Sequence, residues 1–404
     1  MAMKIKNIEL AAERICQAVL RGEQIIIFAD SDLDGVASAT LMKETIDNLV
    51  SVLPEKNKKE YPDVLAFFPD RHNEGYGLND KALIFIKTKK ILNFKPALLI
   101  TLDCGITNYA EIESAKQSGF DVIIIDHHIP IGGQLPKADI IVDPKQPEDN
   151  FPFKEYCNTG LTFKLSQEIL GDKMSSLLKE SFLQLTALAT ISDMMIEEDE
   201  NKDFILQGLA NIEKSQRPAL RALVEILGPQ NFNSTRDLVS KMNGILNSSL
   251  MDDHVMLVYK YLIESNFEKA KIMANQFIEE HETRQREIIS LTENIKYQLG
   301  DSPLDLIIFI GSPQYNIEYL GSVASRLANY YNKPVFLYEQ HDEYSRGTVR
   351  VPKGCDAVKA MESCSYLLQT FGGHPAAAGF TVANENLEKF KEELIKYFSK
   401  ISWQ

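Results

Sequence analysis

The 404-residue sequence has little cysteine, and its five cysteines (Cys16, Cys104, Cys157, Cys355 and Cys364) form no CxxC pair. That scatter argues against both a zinc knuckle and a disulfide framework, so the thiols read as reduced and structural. No apolar run approaches a membrane span, and MAMKIKNIELAAERI at the start lacks the uninterrupted apolar segment of a signal peptide. The expected location is the cytoplasm. A basic excess is missing as well: 43 Lys and Arg face 57 Asp and Glu, a net charge of −14. Such a balance argues against a protein that coats nucleic acid through a broadly basic surface. It leaves room for a nuclease, because a metal-dependent phosphodiesterase concentrates carboxylates that its cations then neutralise. Candidates for the local basic track that such an enzyme needs are KNKKE (56–60), KTKK (87–90) and Arg346 with Arg350; the two lysine runs read more readily as solvated surface. Internal repeats and low-complexity tracts are absent too.

Short β-branched runs alternate with amphipathic stretches through the first two hundred residues. IIIFA (25–29), VLAFF (64–68), ALLITL (97–102), DVIII (121–125) and ADIIV (138–142) are continuous rather than alternating, which predicts strands buried on both faces. VASATLMKETIDNLV (36–50), LNDKALIFIKT (78–88) and NYAEIESAKQSG (108–119) have helical spacing between them. Strand-helix alternation predicts an α/β fold with a parallel sheet, and right-handed crossovers place every strand's carboxyl end along one edge, where such sheets bind ligands. From about 160 to 265 the pattern turns helical, and residues 267–299 then run without glycine or proline. A continuous helix there would span roughly 50 Å, enough to link two domains. LDLIIFIG (304–311) opens a second, smaller α/β unit, followed by helical YLGSVASRLANYY, the strands PVFLY and GTVRV, and the small-residue segment FGGHPAAAGF (371–380).

Three acidic clusters follow strands. Asp30, Asp32 and Asp34 come after the first; Asp103 follows ALLITL; Asp126, His127 and His128 follow DVIII. One aspartate after a strand is ordinary turn or cap chemistry. Three strands delivering acid or histidine to one sheet edge is a different matter, and carboxylates with one or two imidazoles suit hard divalent ions, Mn²⁺ ahead of Mg²⁺. In DSD the alternate residues Asp30 and Asp32 can each face a cation, whereas Asp34-Gly35 reads as the turn into the next helix. Two ions bridged by one carboxylate are the usual device of phosphoryl chemistry.

DSDLDG, LDCGIT, IDHHIP, ATISDMM (189–195) and GGHPAAAG (372–379) resemble, in order, the four DHH motifs and the DHHA1 motif of the DHH phosphoesterase superfamily. PDRHNEGYGLN (69–79), residues 143–165, ENKDFILQGL (200–209) and RPALRAL (217–223) resemble segments of its RecJ-type single-strand-specific exonucleases, so the resemblance covers nearly the whole chain. It implies a DHH domain at 1–230, a helical connector with a long linking helix at 231–300, and a DHHA1 domain at 301–404. It also implies that Asp30 binds a first metal ion, Asp32 a second, and that Asp103 bridges them. His127 and Asp193 complete the second site, Asp126 orients its neighbours, and His128 faces the substrate phosphate. The bland alternative is strongest for Asp193, since Ser192-Asp193 can simply cap a helix. In the DHHA1 motif, His374 would reach across an interdomain cleft to a phosphate, with Gly372 and Gly373 allowing close backbone approach. The bland reading of that stretch is a glycine turn before a small-residue helix. Arg71 and Thr348-x-Arg350 match the family positions that hold a 5′ phosphate, a task suited to the planar guanidinium fork.

Three departures qualify the expectation. Phe28 stands where some members have a histidine for the first metal. In SKMNGILNSS (240–249), Asn247 replaces a phosphate-binding arginine, which puts selectivity for a 5′-phosphorylated end in doubt. RecJ enzymes usually carry an OB-fold after DHHA1, and this chain stops at FSKISWQ, so weaker strand affinity is expected unless a separate OB-fold or single-strand-binding protein is a partner. The resemblance thus implies a two-metal exonuclease acting 5′ to 3′ on single-stranded DNA. Short oligonucleotides, nucleotide bisphosphates or cyclic dinucleotides are the alternative substrates, and a catalytically silent scaffold is a third reading.

Overall fold

The computed structural model describes residues 3–54, 64–71, 75, 77–88, 97–300 and 305–401. The lysine run at 56–60, residues 89–90 of the second run, and residues 72–74 and 76 of PDRHNEGYGLN lie outside them. Two compact units are present, Met1–Ile278 and Glu279–Gln404.

The first unit holds a parallel sheet of β1 (Gln24–Ala29), β2 (Leu65–Phe67), β3 (Ala97–Leu102), β4 (Phe120–Ile125) and β5 (Ile140–Val142), in the order β2-β1-β3-β4-β5. Continuous apolar runs form these strands because both faces are covered. Ile25, Ile27, Ala29, Leu98, Ile100, Leu102, Ile123 and Ile125 share one core with α1 (Ile8–Arg21), α2 (Leu33–Ser51) and the helices α5 (Asn158–Leu170) and α6 (Ser176–Ser192). Ile26, Phe28, Leu99, Val122 and Ile124 enter a second core with α3 (Asp80–Thr88) and α4 (Tyr109–Gln117). Phe28 is fully buried there.

Helices α7 (Asp199–Leu209), α8 (Pro218–Leu227), α9 (Thr235–Leu246) and α10 (Leu257–Leu262) complete the first core, which also takes in Leu238 to Phe277 of the segment expected as a connector. An ion pair between buried Arg217 and half-buried Glu44 ties them to α2: the Arg217 guanidinium donates to both Glu44 carboxylate oxygens at 2.7 Å, to Ser181 Oγ at 3.0 Å and to Leu262 O at 2.8 Å. The stretch without glycine or proline is one 33-residue helix, α11 (Phe267–Leu299), about 50 Å long. The division between the units falls inside it.

The second unit contains β8 (Ile308–Ser312), β9 (Val335–Gln340), β10 (Tyr344–Arg350), β11 (Leu368–His374) and β12 (Ala377–Ala383), ordered β11-β12-β10-β9-β8; the short pair β6 (Met251–Asp252) and β7 (Val255–Met256) belongs to the first unit. β8 and β9 are parallel and the remaining pairs antiparallel. One face packs on α13 (Ala357–Glu362) and α14 (Leu387–Phe398) through Phe336, Val349, Phe380 and Val382. The other is covered over β8 and β9 by α12 (Ile317–Tyr331) and the end of α11. FGGHPAAAGF is a β-hairpin here, and the small-residue helix weighed for it is not what forms. Ala and Gly carry little side-chain preference of their own in this run, and pairing of β12 between β10 and β11 decides it. Among the described residues no helix is long and apolar enough to cross a membrane.

Candidate metal centre

The ladder of the first sheet extends one rung beyond its strands. Asp30 N donates to Leu102 O, Asp103 N to Ile125 O and Asp126 N to Val142 O, each at 3.1 Å. Main-chain bonds thus align three acids along the carboxyl edge. Asp103 has φ +60°, a left-handed conformation that is uncommon outside glycine and characteristic of strained functional positions. Gly35 lets α2 begin tight against this edge: a Cβ there would lie 2.2 Å from Asp30 O.

Three groups of ligand atoms, each within 4.8 Å of one another, result: Asp30, Asp32 and Asp103; Asp103, His127 and His128; Asp34, His127 and Asp193. His127 Nε2 is central, 3.1 Å from Asp103 Oδ1, 3.8 Å from Asp193 Oδ2 and 4.0 Å from Asp34 Oδ2. Asp103 Oδ1, Asp193 Oδ2 and His127 Nδ1 are buried without a hydrogen-bond partner. Buried oxygens left orphaned beside an imidazole are costly, and a hard divalent cation is the group that they fit.

Electrostatics point the same way. Burial, with Asp34, Asp32 and Asp30 nearby, holds the Asp103 carboxyl well above its usual range. Burial and the charges of Asp34 and Asp32 push Asp193 up to about 8. Burial lowers His127, which favours the neutral imidazole that a metal requires. Asp193 ends α6 rather than capping the start of a helix, and its N–H bonds Ala189 O at 2.9 Å. A carboxylate at the negative end of a helix dipole is unfavourable without a neighbouring cation.

Asp126 works as a clamp. Its Oδ1 accepts from His127 N at 2.8 Å and His128 N at 3.1 Å and meets His128 Nδ1 at 2.8 Å, while Oδ2 accepts from Ile106 N at 3.0 Å. Two motif loops are thereby fixed to each other. Burial disfavours the His128 imidazolium, but the bond to Asp126 outweighs it and raises His128 to about 9. His128 is the half-exposed member of the pair, and His127 is buried.

Arg71 follows β2 and lies over the first acidic pair. Its Nε donates to Asp30 Oδ1 at 3.1 Å, and one Nη bonds both Asp30 Oδ2 and, at 3.1 Å, Asp32 Oδ2. The guanidinium therefore supplies positive charge where a cation is expected. Burial raises Asp30 against the pull of Arg71; at Asp32 burial is outweighed by Arg71 and the Gly35 N–H, which lower it.

Two further acids emerge only in three dimensions. Asp34, read from the sequence as turn chemistry, is buried in the first turn of α2 and binds the start of α5: its carboxylate accepts from Asn158 N at 2.6 Å, Thr159 N at 2.8 Å and Thr159 Oγ1 at 2.6 Å. Asp32 is the N-cap of α2, accepting from Asp34 N and Gly35 N at 3.1 Å. Asp143 follows β5, is wholly buried, and has one oxygen unpartnered; burial, against the Lys145 N–H, lifts it to about 7. Its signal in the sequence was the same as for the others, an aspartate directly after a strand.

The second unit gathers the other expected residues. His374, Ala377 and Arg350 share one rung of the sheet; Gly372, Gly379 and Thr348 share the next on that face. Arg350 Nη1 donates to Thr348 Oγ1 at 2.7 Å and Val349 O at 2.9 Å. Gly373 lies on the opposite face at φ +142°, where a Cβ would meet Ala377 O at 2.5 Å. Back in the first unit, Asn247 closes α9 beside a recess of about 240 Å³ that Ile191, Ser192, Ser240, Asn243 and Gly244 also line.

Comparison with known proteins assigns the sequence and the fold to a class. Residues 24–190 match the DHH family, N-terminal domain, and residues 306–400 the DHHA1 domain. Over 97% of its length the chain is 31% identical to the single-stranded-DNA-specific exonuclease RecJ of Bacillus subtilis strain 168, covering 48% of that protein. Over 96% it is 26% identical to the RecJ of Escherichia coli K12, covering 68% of it. The chain therefore spans about half the length of the Bacillus relative. A crystal structure of exonuclease RecJ bound to manganese superposes with a TM-score of 0.80 at 25% identity, covering 99% of this chain and 96% of that one. The chain belongs to the DHH superfamily and is a RecJ-like member of it.

Proposed function

We propose that this chain is a two-metal phosphodiesterase that removes nucleotides from the 5′ end of single-stranded DNA, as part of DNA repair or recombination in the cytoplasm. The observation that carries the reading is the set of orphaned buried oxygens of Asp103 and Asp193 around His127, a donor set suited to Mn²⁺ first and Mg²⁺ second. In this reading Asp30 would hold one ion, Asp32, His127 and Asp193 would hold the other, and Asp103 would serve both. When bound, such a pair lowers the pKa of water and neutralises charge on a phosphodiester. The protein's own contribution is position: Asp126 fixes the His127-His128 loop, and the exposed His128 imidazolium donates to a phosphate oxygen. Arg71, which pairs with Asp30 and Asp32 here, would have its fork available for the 5′ phosphate once those carboxylates are engaged by an ion. Residues 1–230 carry the reaction and 231–300 link it to 301–404, where Thr348, Arg350, His374, Gly372 and Gly373 hold substrate. A separate OB-fold or single-strand-binding protein as partner belongs to the same reading.

Purified protein with Mn²⁺ and strands labelled at either end, with and without a 5′ phosphate, tests it. Release of labelled mononucleotide from the 5′ end is expected; release from the 3′ end alone overturns the polarity. One observation favours short or unphosphorylated substrates as a second reading: the polar groups around the Asn247 recess are hydroxyls and amides without charge. Faster turnover of dinucleotides than of long strands would support it. A silent scaffold would bind no Mn²⁺ in a titration.

A further inference from the structure

One face of the second sheet changes character halfway across. Antiparallel partners in register share a face, so the side chains of Val335, Leu337 and Glu339 on β9 continue into Arg350, Thr348 and Arg346 on β10, Ala377, Gly379 and Thr381 on β12, and His374, Gly372 and Thr370 on β11. Over β9 the face is apolar and roofed: Val335 and Leu337 are buried under Leu320, Val323, Ala324 and Leu327 of α12. The roof stops at Arg350, whose Nη2 lies 3.0 Å from where a Cβ on Gly321 would sit. Beyond it the floor is open: Thr370, Gly372, His374 and Gly379 are exposed, and a Cβ on Gly372 would meet nothing within 4 Å. In a chain of net charge −14, this open half-face carries Arg346, Arg350 and His374 over a floor of glycine, alanine and threonine. Glu339 stands opposite Arg346, with its carboxylate accepting from Ile317 N at 3.3 Å and 4.0 Å from His341.

We propose that the open half-face is a track for a single nucleic-acid strand, in which Arg346, with Thr370 and Thr381 on its rung, binds a phosphate several nucleotides from the one at Arg350. The inference rests on the function proposed above and adds a binding position to it. Arginine suits the role because its fork meets phosphate oxygens in pairs, and the small floor lets a backbone lie close. Arg346 and Arg350 are four residues apart on one strand, about 13 Å at ~3.3 Å per residue. The axial rise of a stacked strand, about 3.4 Å per nucleotide, sets an upper limit of roughly four steps for that span, and an extended backbone needs fewer, so strands of about three to five nucleotides reach both arginines and dinucleotides do not.

The test is binding of the full chain, with chelator, to fluorescent single strands of two to ten nucleotides across a salt series. Wild-type affinity should step up between about three and five nucleotides. Arg346→Gln should erase that step, weaken a ten-nucleotide strand about ten-fold and flatten the log-log salt slope by about 0.7, one phosphate contact. Thr381→Arg, which adds a guanidinium to the same rung, should strengthen the ten-nucleotide strand several-fold. A wild type that degrades strands under Mn²⁺ while Arg346→Gln retains the full step and slope overturns this inference alone, as does a Thr381→Arg protein that binds more weakly. A wild type that neither binds nor degrades any strand overturns the functional reading and the track together.

Discussion

The two sheets handle charge in opposite ways. The first is covered on both faces and presents its chemistry at the carboxyl ends of its strands, where acids that follow four strands meet Asp193 from the end of α6, buried or half-buried. The second leaves half a face open and sets its cations in the regular register of β10. Strand ends allow convergence, because a loop can turn one side chain inward at the cost of a strained backbone, as at Asp103. A sheet face offers spacing instead, a ruler of fixed steps. Concentrated negative charge suits ions, which need many ligands around one point, whereas spaced positive charge suits a chain of phosphates.

If convergence at the strand ends is the engine, the largest effect should come from its central acid. Asp103→Asn keeps the shape and tolerates the left-handed backbone, yet removes the charge that two groups of ligand atoms share. We expect kcat to fall on the order of 10³-fold or more, equivalent to several kcal/mol, while the melting temperature of the chelated protein stays level or rises because a buried, repelled carboxyl is gone. Near-normal turnover with Mn²⁺ would remove Asp103 from the bridging role.

Glycine substitution separates the regions next. Gly35→Ala drives a Cβ into Asp30 O and displaces the turn that carries Asp32 and Asp34; overpacking of this kind costs roughly 1–3 kcal/mol, and misplaced ligands should cost about 10²-fold in rate. Gly372→Ala on the open face meets nothing within 4 Å, so its unfolding free energy should change by less than about 0.5 kcal/mol. Urea unfolding of both variants checks the contrast, and equal destabilisation would erase it.

The pH dependence of stability tests the buried acids as a set. In chelated protein Asp193 titrates near 8 and Asp143 near 7, both above the ordinary 3.8. The folded state therefore holds protons that the unfolded chain has lost, and stability falls as pH rises toward 8. His128, raised from 6.5 to about 9, adds stability below about 6.5 that is lost as pH climbs through 9, with the same sign. His127, lowered by burial, opposes them only below about 6.5. From pH 6.5 to 9 the melting temperature should drop by several degrees, and Mn²⁺ should flatten the drop by favouring deprotonated ligands. A melting temperature that rises over this window, or a slope that Mn²⁺ leaves unchanged, would show that these acids do not form the ion site.

Much of this was legible in the sequence. Buried parallel strands announced themselves as unbroken β-branched runs, and acids directly after them marked the edge. Asp34 was misjudged because Asp-Gly is a turn signal by composition, whereas its carboxylate binds the start of α5, 124 residues further on, a contact that no local pattern encodes. Asp143 escaped because Asp-Pro after a strand looks like an ordinary stop. The hairpin at 371–380 could not be read locally either, since its strand character comes from register with β10. Arg71 on Asp30 and Asp32 depends on the neighbouring order of β2 and β1, which alternation of elements alone does not specify.

The smallest effect probes how the open face braces its cation. Thr348 is buried, and its hydroxyl accepts from Arg350 Nη1 at 2.7 Å, two residues along the same strand. Thr348→Val keeps the branched shape and deletes that bond, leaving Arg350 with its contact to Val349 O. A hydrogen bond to a charged group in a partly buried setting is worth about 1–2 kcal/mol, and part of that returns through water, so KM for a strand should rise about three- to five-fold. If Arg350 acts by holding substrate, as proposed, kcat should change less than two-fold, unlike Asp103→Asn. An equal fall in kcat and kcat/KM would place Thr348 and Arg350 in transition-state stabilisation. The division between an acidic engine and a basic ruler would then fail at its most finely poised contact.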